Sequence, residues 1–568
     1  MNGGRMLAMG LASLAATGCG APSFACSDAQ QCSLVANGVC QPDGYCSYPD
    51  GACPSGQRFS EHAGSLAGQC VEPDAGSSSG PEPTPTNTTD PPANPCLQVD
   101  CGPNGACEPR GDLPACMCDP GFVDMDLQCV EQGCPGTSCL WVDALEGDDA
   151  NSGRTRAAPI RSLARAAVLA PSLAPGEALV LRRGRVWDEP LAMTGLLGEE
   201  STPIVVAPYG PDDEANPRIG GGLSLEDSVG VQIRDLSVTH AGGVGLRLSG
   251  VSHATVLRCE VFESSGGCIR VEGTSDHTAV VASSAWTCGT TTFGIALLGA
   301  QLGDHHWLLD NRIDGEGTTN ALHVTVTTAD DVKVVRNYLR GSVDRGLHSR
   351  VGTHGWLVGN VIAQAGDAND AGFDHAGGGV VLARGNVVLD AALPVLLAGG
   401  GEWAFNTVLH AASAPALTVP AMATSWSVHH GLVLAGDAAV LAVADASAVQ
   451  TERNVYVPGP AGQCTIDAEG MLVDLAGWQT GFDQDALSRC EPVPGPSIPA
   501  EIGSTRDWDA AGLLEAVVPD AAWSGCGDPV GAYGCDGEPL AAGLPAFDDI
   551  GHGWPGPPEV QERVELVR

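Results

Sequence analysis

The middle of the chain alternates short runs of Val, Ile and Leu with single polar residues and glycines, and this arrangement returns about every 24 residues. One position marks the repeat: Leu236, Cys259, Ser284, Asn311, Asn337, Asn360, Asn386, Asn406, His430 and Asn454. An apolar residue follows two places later in most units, as at Val261, Ile313, Leu339, Ile362 and Val388. The apolar runs have strand length, and none sustains the amphipathic spacing that a helical repeat needs. A solenoid of stacked β-units is therefore expected, because one such unit cannot bury its apolar face alone. An inward Asn at the same turn of every coil would place equivalent amides roughly 4.8 Å apart, close enough to hydrogen-bond up the axis and satisfy polar groups that are costly to bury.

The segments LLDNRID, VVRNYLR, WLVGNVI and ARGNVVL resemble coils of the right-handed parallel β-helix of the pectate-lyase-like superfamily. The stretch from Leu140 to Trp187 resembles the entry of many secreted β-helix proteins, which implies a short amphipathic helix at about Ile160 to Leu169 capping the open end. The sequence around Trp508 and from Asp528 to Cys535 is similar to their closing segment. The resemblance implies a mainly β fold: a right-handed parallel β-helix solenoid over residues 131–540, with a C-terminal tail at 541–568.

Small modules precede it. An apolar stretch, Met6 to Ala16, follows Arg5 and is too short to span a bilayer. It ends in LAATGC, which resembles a bacterial lipobox; that implies a signal peptide at 1–18, lipidation of Cys19, a short mature N-terminus at 19–25, and, with Gly20 next, sorting to the outer membrane or cell surface. Of 22 Cys, fourteen lie between Cys26 and Cys139, a density that fits disulfide scaffolds in an oxidising compartment. Residues 26–71 form one six-Cys module whose connectivity the sequence leaves open. Residues 72–95 are a Pro/Ser/Thr-rich linker. Residues 96–130 resemble an EGF-like domain, which implies the pairs Cys96 to Cys107, Cys101 to Cys116 and Cys118 to Cys129, and PPANP ahead of the first Cys lacks the acidic residues of its calcium-binding variant. Cys134 with Cys139, Cys464 with Cys490 and Cys526 with Cys535 are further candidate pairs.

The charge limits the partners. A formal net charge of −41, with 27 Lys and Arg against 68 acidic residues, leaves no basic stripe to neutralise phosphates, so nucleic acid is not expected. Cysteine spacing fits disulfides and His is scarce near it, so no metal site is assigned there. Asp310, Asp314, Asp330 and Asp331 sit where turns are expected and make calcium the one cofactor left open.

Aligning the short strands GLR, CIR, GIA, ALH, GLH and GFD puts Arg247, Arg270, Ala296, His323, His348 and Asp374 in one outward column. The next outward residues are then Ser249, Glu272, Leu298, Thr325, Arg350 and Ala376. His323, His348, Arg350 and Asp374 are the candidate catalytic group, and Arg247, Arg270, Glu272 and Thr325 the candidate substrate contacts. Arg clamps a uronate carboxylate in bidentate fashion, and a His titrating near neutrality takes the adjacent proton. The segments from Asp344 to Asn360 and from Ala371 to Gly379 resemble mannuronan epimerases and related lyases, although Asp374 and His375 are adjacent where that motif has Pro between them. Two functions stay open: a surface-anchored rod that binds an acidic polysaccharide or cell-surface glycan, and a lyase or epimerase acting on one.

Overall fold

The computed structural model describes residues 127–494 and 496, apart from 290–292, 300, 316–321, 328, 342–344, 365–370, 411–412 and 460–461, together with short stretches between 39 and 125. The chain divides into two units, Met1–Ala93 and Asn94–Arg568. The lipobox with Cys19, the linker at 72–95, the closing segment around Trp508 and Asp528 to Cys535 with its Cys526 and Cys535 pair, and the tail at 541–568 lie outside the described residues.

In the first unit, Val39–Cys40, Cys46–Pro49 and Gln57–Phe59 form a three-stranded antiparallel sheet, and Cys53 is bonded to Cys70. The second unit begins with two antiparallel hairpins, Gly105–Arg110 with Leu113–Cys118 and Phe122–Met125 with Gln128–Glu131. Three disulfides staple them: Cys96–Cys107, Cys101–Cys116 and Cys118–Cys129. These are the pairs that the EGF-like resemblance implies. Cross-links of this kind stand in for the core that so short a segment cannot build.

From Cys139 onward the chain is a parallel β-helix. Three sheets of 13 strands each run the length of the solenoid. One coil shows the pattern: Ser252–Leu257 lies in the first sheet, Glu260–Ser264 in the second and Ile269–Glu272 in the third. Up to the last strand of the third sheet, strands pair in parallel with their equivalents one coil on, as Ala254 with Thr278, Val261 with Ala285 and Val271 with Leu297. Alternation sends Leu246, Leu248, Ile269, Val271, Val324 and Leu347 inward, into one continuous apolar core.

The Asn ladder lies at the turn between the first and second sheets. Asn311 Nδ2 donates to Asn337 Oδ1 at 2.9 Å, and the step repeats from Asn337 to Asn360, Asn360 to Asn386 and Asn386 to Asn406 at 3.0 Å. Each of these amides also donates to a backbone carbonyl of the preceding coil, as Asn360 does to Val334 O at 2.8 Å. Register corrects two assignments: Ser283, not Ser284, and Gly431, not His430, occupy the ladder position. His430 instead precedes it with φ 53°, the left-handed turn conformation shared by Asp235, Arg258, Asp310 and Arg336, and stacks on Phe405 at 4.7 Å.

Both ends of the described solenoid are closed. The entry helix α1, Leu163–Leu169, is capped by Ser162 and buries Leu163 and Ala166 against the first coils. At the other end, Met471–Asp474 turns back antiparallel on Thr465–Ala468, and helix α2, Leu475–Gly481, buries Trp478, whose Nε1 donates to Thr451 Oγ1 at 3.1 Å. Cys134–Cys139 and Cys464–Cys490 are formed. Cys268–Cys288, which the spacing did not single out, links neighbouring coils inside the core. The thiol of Cys259 is free, and burial pushes it up to about 12.

Candidate functional site

The third sheet carries the outward column, and its register is Arg247, Arg270, Ala296, Thr325, His348, Asp374, Leu396. Thr325, not His323, therefore lies beside His348; His323 falls two residues earlier in its strand, in the backbone register of Gly294 and Gly346. The neighbouring outward column likewise holds Thr327, not Thr325, next to Arg350. A slip of two residues keeps every side chain on its original face, so the apolar pattern alone does not reveal it.

The lower column is an ion network. Arg247 Nη1 reaches Glu226 Oε1 at 2.8 Å, and Arg247 Nε and Arg270 Nη2 both meet the carboxylate of Glu272. Glu226 and Glu272 thus offset the charge of the two Arg expected to clamp a substrate carboxylate, and all four belong to one network.

The upper column differs. His348 Nδ1 lies 2.7 Å from Asp374 Oδ2, which Arg345 Nε also approaches to 3.1 Å. His348 is 4% and Asp374 2% exposed, so the pair sits in a poorly hydrated setting that strengthens the contact. A carboxylate on Nδ1 fixes the proton there and leaves the Nε2 lone pair outward. His348 Nε2 has no hydrogen-bond partner among the described residues. Arg350, two residues along the same face, is exposed and has no carboxylate partner among the described residues. The site thus offers a positioned base beside an uncommitted cation. Arg345, which the sequence reading passed over, is the second holder of Asp374.

Adjacency decides the role of His375. Consecutive strand residues point to opposite faces, so with Asp374 outward His375 enters the core, where Nε2 donates to Gly379 O at 3.2 Å, Nδ1 meets Ser349 Oγ at 3.3 Å, and burial holds the imidazole below its ordinary value. A residue between the two, as in the epimerase motif, would have put both on one face.

The carboxylates considered for calcium are largely committed elsewhere: Asp310 pairs with Arg336 at 2.8 Å, Asp314 with Arg340 at 3.5 Å, and Asp331 with Lys333. Among the described residues no group of three or more His, Cys, Asp or Glu is arranged to hold a metal ion. Lys333, the one Lys of the chain, lies between the rings of Trp307 and Trp356, 5.1 and 4.9 Å from their centres. His253, His277 and His305 stack in sequence on the first sheet at 4.6 and 4.5 Å, and His306 beside them is buried.

No protein-family model matches the chain. It is 29% identical to a lacto-N-biosidase of Bifidobacterium longum subsp. longum over 126 residues, which are 21% of this chain and 8% of that protein. Among solved structures it is similar to a lacto-N-biosidase of Eubacterium ramulus, with 14% identity, a TM-score of 0.41, and coverage of 62% of this chain and 68% of that one. It is also similar to pectate lyase Pel9A, with 15% identity, a TM-score of 0.37, and coverage of 50% and 78%. The class, a parallel β-helix protein with a disulfide-rich N-terminal region, stands on the strand pairing and cross-links of the chain itself.

Proposed function

We propose that this protein is an exported, lipid-anchored surface protein whose β-helix binds an acidic polysaccharide along the upper outward column of the third sheet. The observation that carries the reading is Arg350. In a chain of net charge −41, Arg350 stands exposed on the same face as His348, with no carboxylate partner among the described residues. A cation left open in this way suits the carboxylate of a uronate. Neighbouring coils repeat the surface at strand spacing, which suits a repeating ligand.

A second reading, catalysis, is favoured by the Asp374–His348 pair. His348 Nε2 would take the C5 proton of a bound uronate; the electron pair then forms the C4–C5 double bond as the C4–O bond breaks, and the leaving oxygen takes a proton from water. Return of the proton to the opposite face would give epimerisation instead. The test is a panel of uronate polysaccharides, with affinity measured by calorimetry, new double bonds by ultraviolet absorbance and epimerised residues by proton NMR. Binding that falls at least tenfold in Arg350→Gln, without product, supports recognition; product lost in His348→Ala, with binding kept, supports the second reading. Absence of both binding and product with folded protein refutes the site.

A further inference from the structure

At the ladder turn, one layer of charge is missing. Successive coils place Asp235, Arg258, Ala282, Asp310 and Arg336 at the same left-handed position, with φ values of 56°, 50°, 49°, 56° and 52°. Arg258 grips Asp235 through Nε and Nη2 at 2.7 and 2.8 Å, and Arg336 grips Asp310 in the same two-pronged way at 2.8 Å. Between these two pairs the column holds only the methyl of Ala282, and the next residues are small as well, Ser283 and Ser284. The result is an open groove of about 480 Å³ lined by Ala282, Ser284, Asp310, Arg312, Arg336 and Tyr338, among others. That volume falls within the roughly 300–1,000 Å³ of small-ligand sites.

Its charge runs against that of the protein. The lining holds two Arg against one Asp, and Asp310 is already neutralised by Arg336. Arg312 is exposed and has no carboxylate partner among the described residues. Glu260, which precedes Ser284 in the strand register, accepts from Ser237 Oγ at 2.9 Å. A groove of net positive charge with hydroxyl groups on its wall, in a chain of −41, selects an anion that carries hydrogen-bonding neighbours.

We propose that this groove is a second saccharide site, taking one acidic sugar unit by its carboxylate or sulfate through Arg312, with Ser284 and the Arg336 edge beside it. It lies at the turn between the first and second sheets, whereas His348 and Arg350 lie on the third, so it stands independently of the function proposed above. The test uses the full chain and three probes of equal length: a uronate oligosaccharide, a sulfated neutral oligosaccharide and an uncharged one. Two variants address the groove. Arg312→Gln removes the open cation; Ala282→Gln fills the gap without adding charge, with a residue type that takes the same left-handed φ at Gln364. NMR or calorimetric titration in an Arg350→Gln background removes any contribution of the third sheet. Expected is binding of at least one anionic probe, none of the uncharged one, and a loss of tenfold or more in both groove variants; the preferred probe tells carboxylate from sulfate. Equal affinity in wild type and both variants, binding of the uncharged probe alone, or no binding by any probe to folded protein would overturn the proposal.

Discussion

Replacing Asn360 with Ala tests the ladder where it is most completely connected. The Asn360 side chain donates to Val334 O at 2.8 Å and to Asn386 Oδ1 at 3.0 Å, and its own oxygen accepts from Asn337 N and Asn337 Nδ2, each at 3.0 Å. Asn386 Oδ1 keeps a donor in the Asn360 backbone, and Asn337 Nδ2 keeps Leu308 O. One group is orphaned outright, the Asn337 N–H; the Val334 carbonyl loses one of its two donors and keeps the ladder N–H of the paired strand His354–Val358. Asn360 is 0% exposed, so bulk water does not reach that N–H. At about 1–3 kcal/mol for an unsatisfied buried group, the loss is about 1–3 kcal/mol, with the lower end applying if one water fills the vacated amide space. The assay is urea unfolding of the whole protein beside Val380→Ala, an exposed control expected to change stability by less than about 0.5 kcal/mol. Hydrogen exchange at the Asn337 amide gives a local reading. A loss under about 1 kcal/mol, with Asn337 protection unchanged, would refute the reasoning that the ladder is a stabilising network.

Acid should weaken the fold in a defined window. Burial holds His253, His306, His375 and His410 below their ordinary value, His306 at about 4. Between the unfolded value of about 6.5 and the folded values the unfolded chain binds more protons, so this stability is complete above pH ~6.5 and is lost as pH falls toward ~4, with His306 alone accounting for about 3 kcal/mol. Unfolding midpoints measured across that range should show the slope, and His306→Gln should flatten it; a midpoint independent of pH contradicts the assignment. Removing the core cross-link with Cys268→Ser and Cys288→Ser should cost about 2–4 kcal/mol, read as a lower denaturation midpoint under non-reducing conditions, and an unchanged midpoint would show that the bond adds nothing.

The candidate site was only partly legible in the chain. His348 and Asp374 were placed in one column because both precede a recognisable ladder turn by a similar distance, and the structure pairs them at 2.7 Å. His323 was misplaced because Ala-Leu-His was matched to Gly-Leu-His by residue type; counted from the ladder, Thr325 precedes Asn337 by 12, as His348 precedes Asn360 and Asp374 precedes Asn386. Arg247 and Arg270 were read as open cations, yet Glu226 and Glu272 are their partners. Those carboxylates belong to neighbouring coils or to the same strand, and which of them turns toward a given Arg is a matter of register.

Sequence by itself determined the class of fold, the Asn ladder and the oxidised modules ahead of the solenoid. Those rest on periodicity: an inward apolar set and one polar turn position repeated at coil length admit a stacked β-structure and little else. Tertiary structure decided which cations remain uncommitted, where a layer of side chains is missing at Ala282, and that His375 is core while Asp374 faces outward. These depend on contacts between residues some 25 positions apart, as His348 and Asp374 are 26 apart. Parallel stacking brings such residues within hydrogen-bonding distance, and a change in one loop length moves the pairing without altering the pattern that predicts the fold.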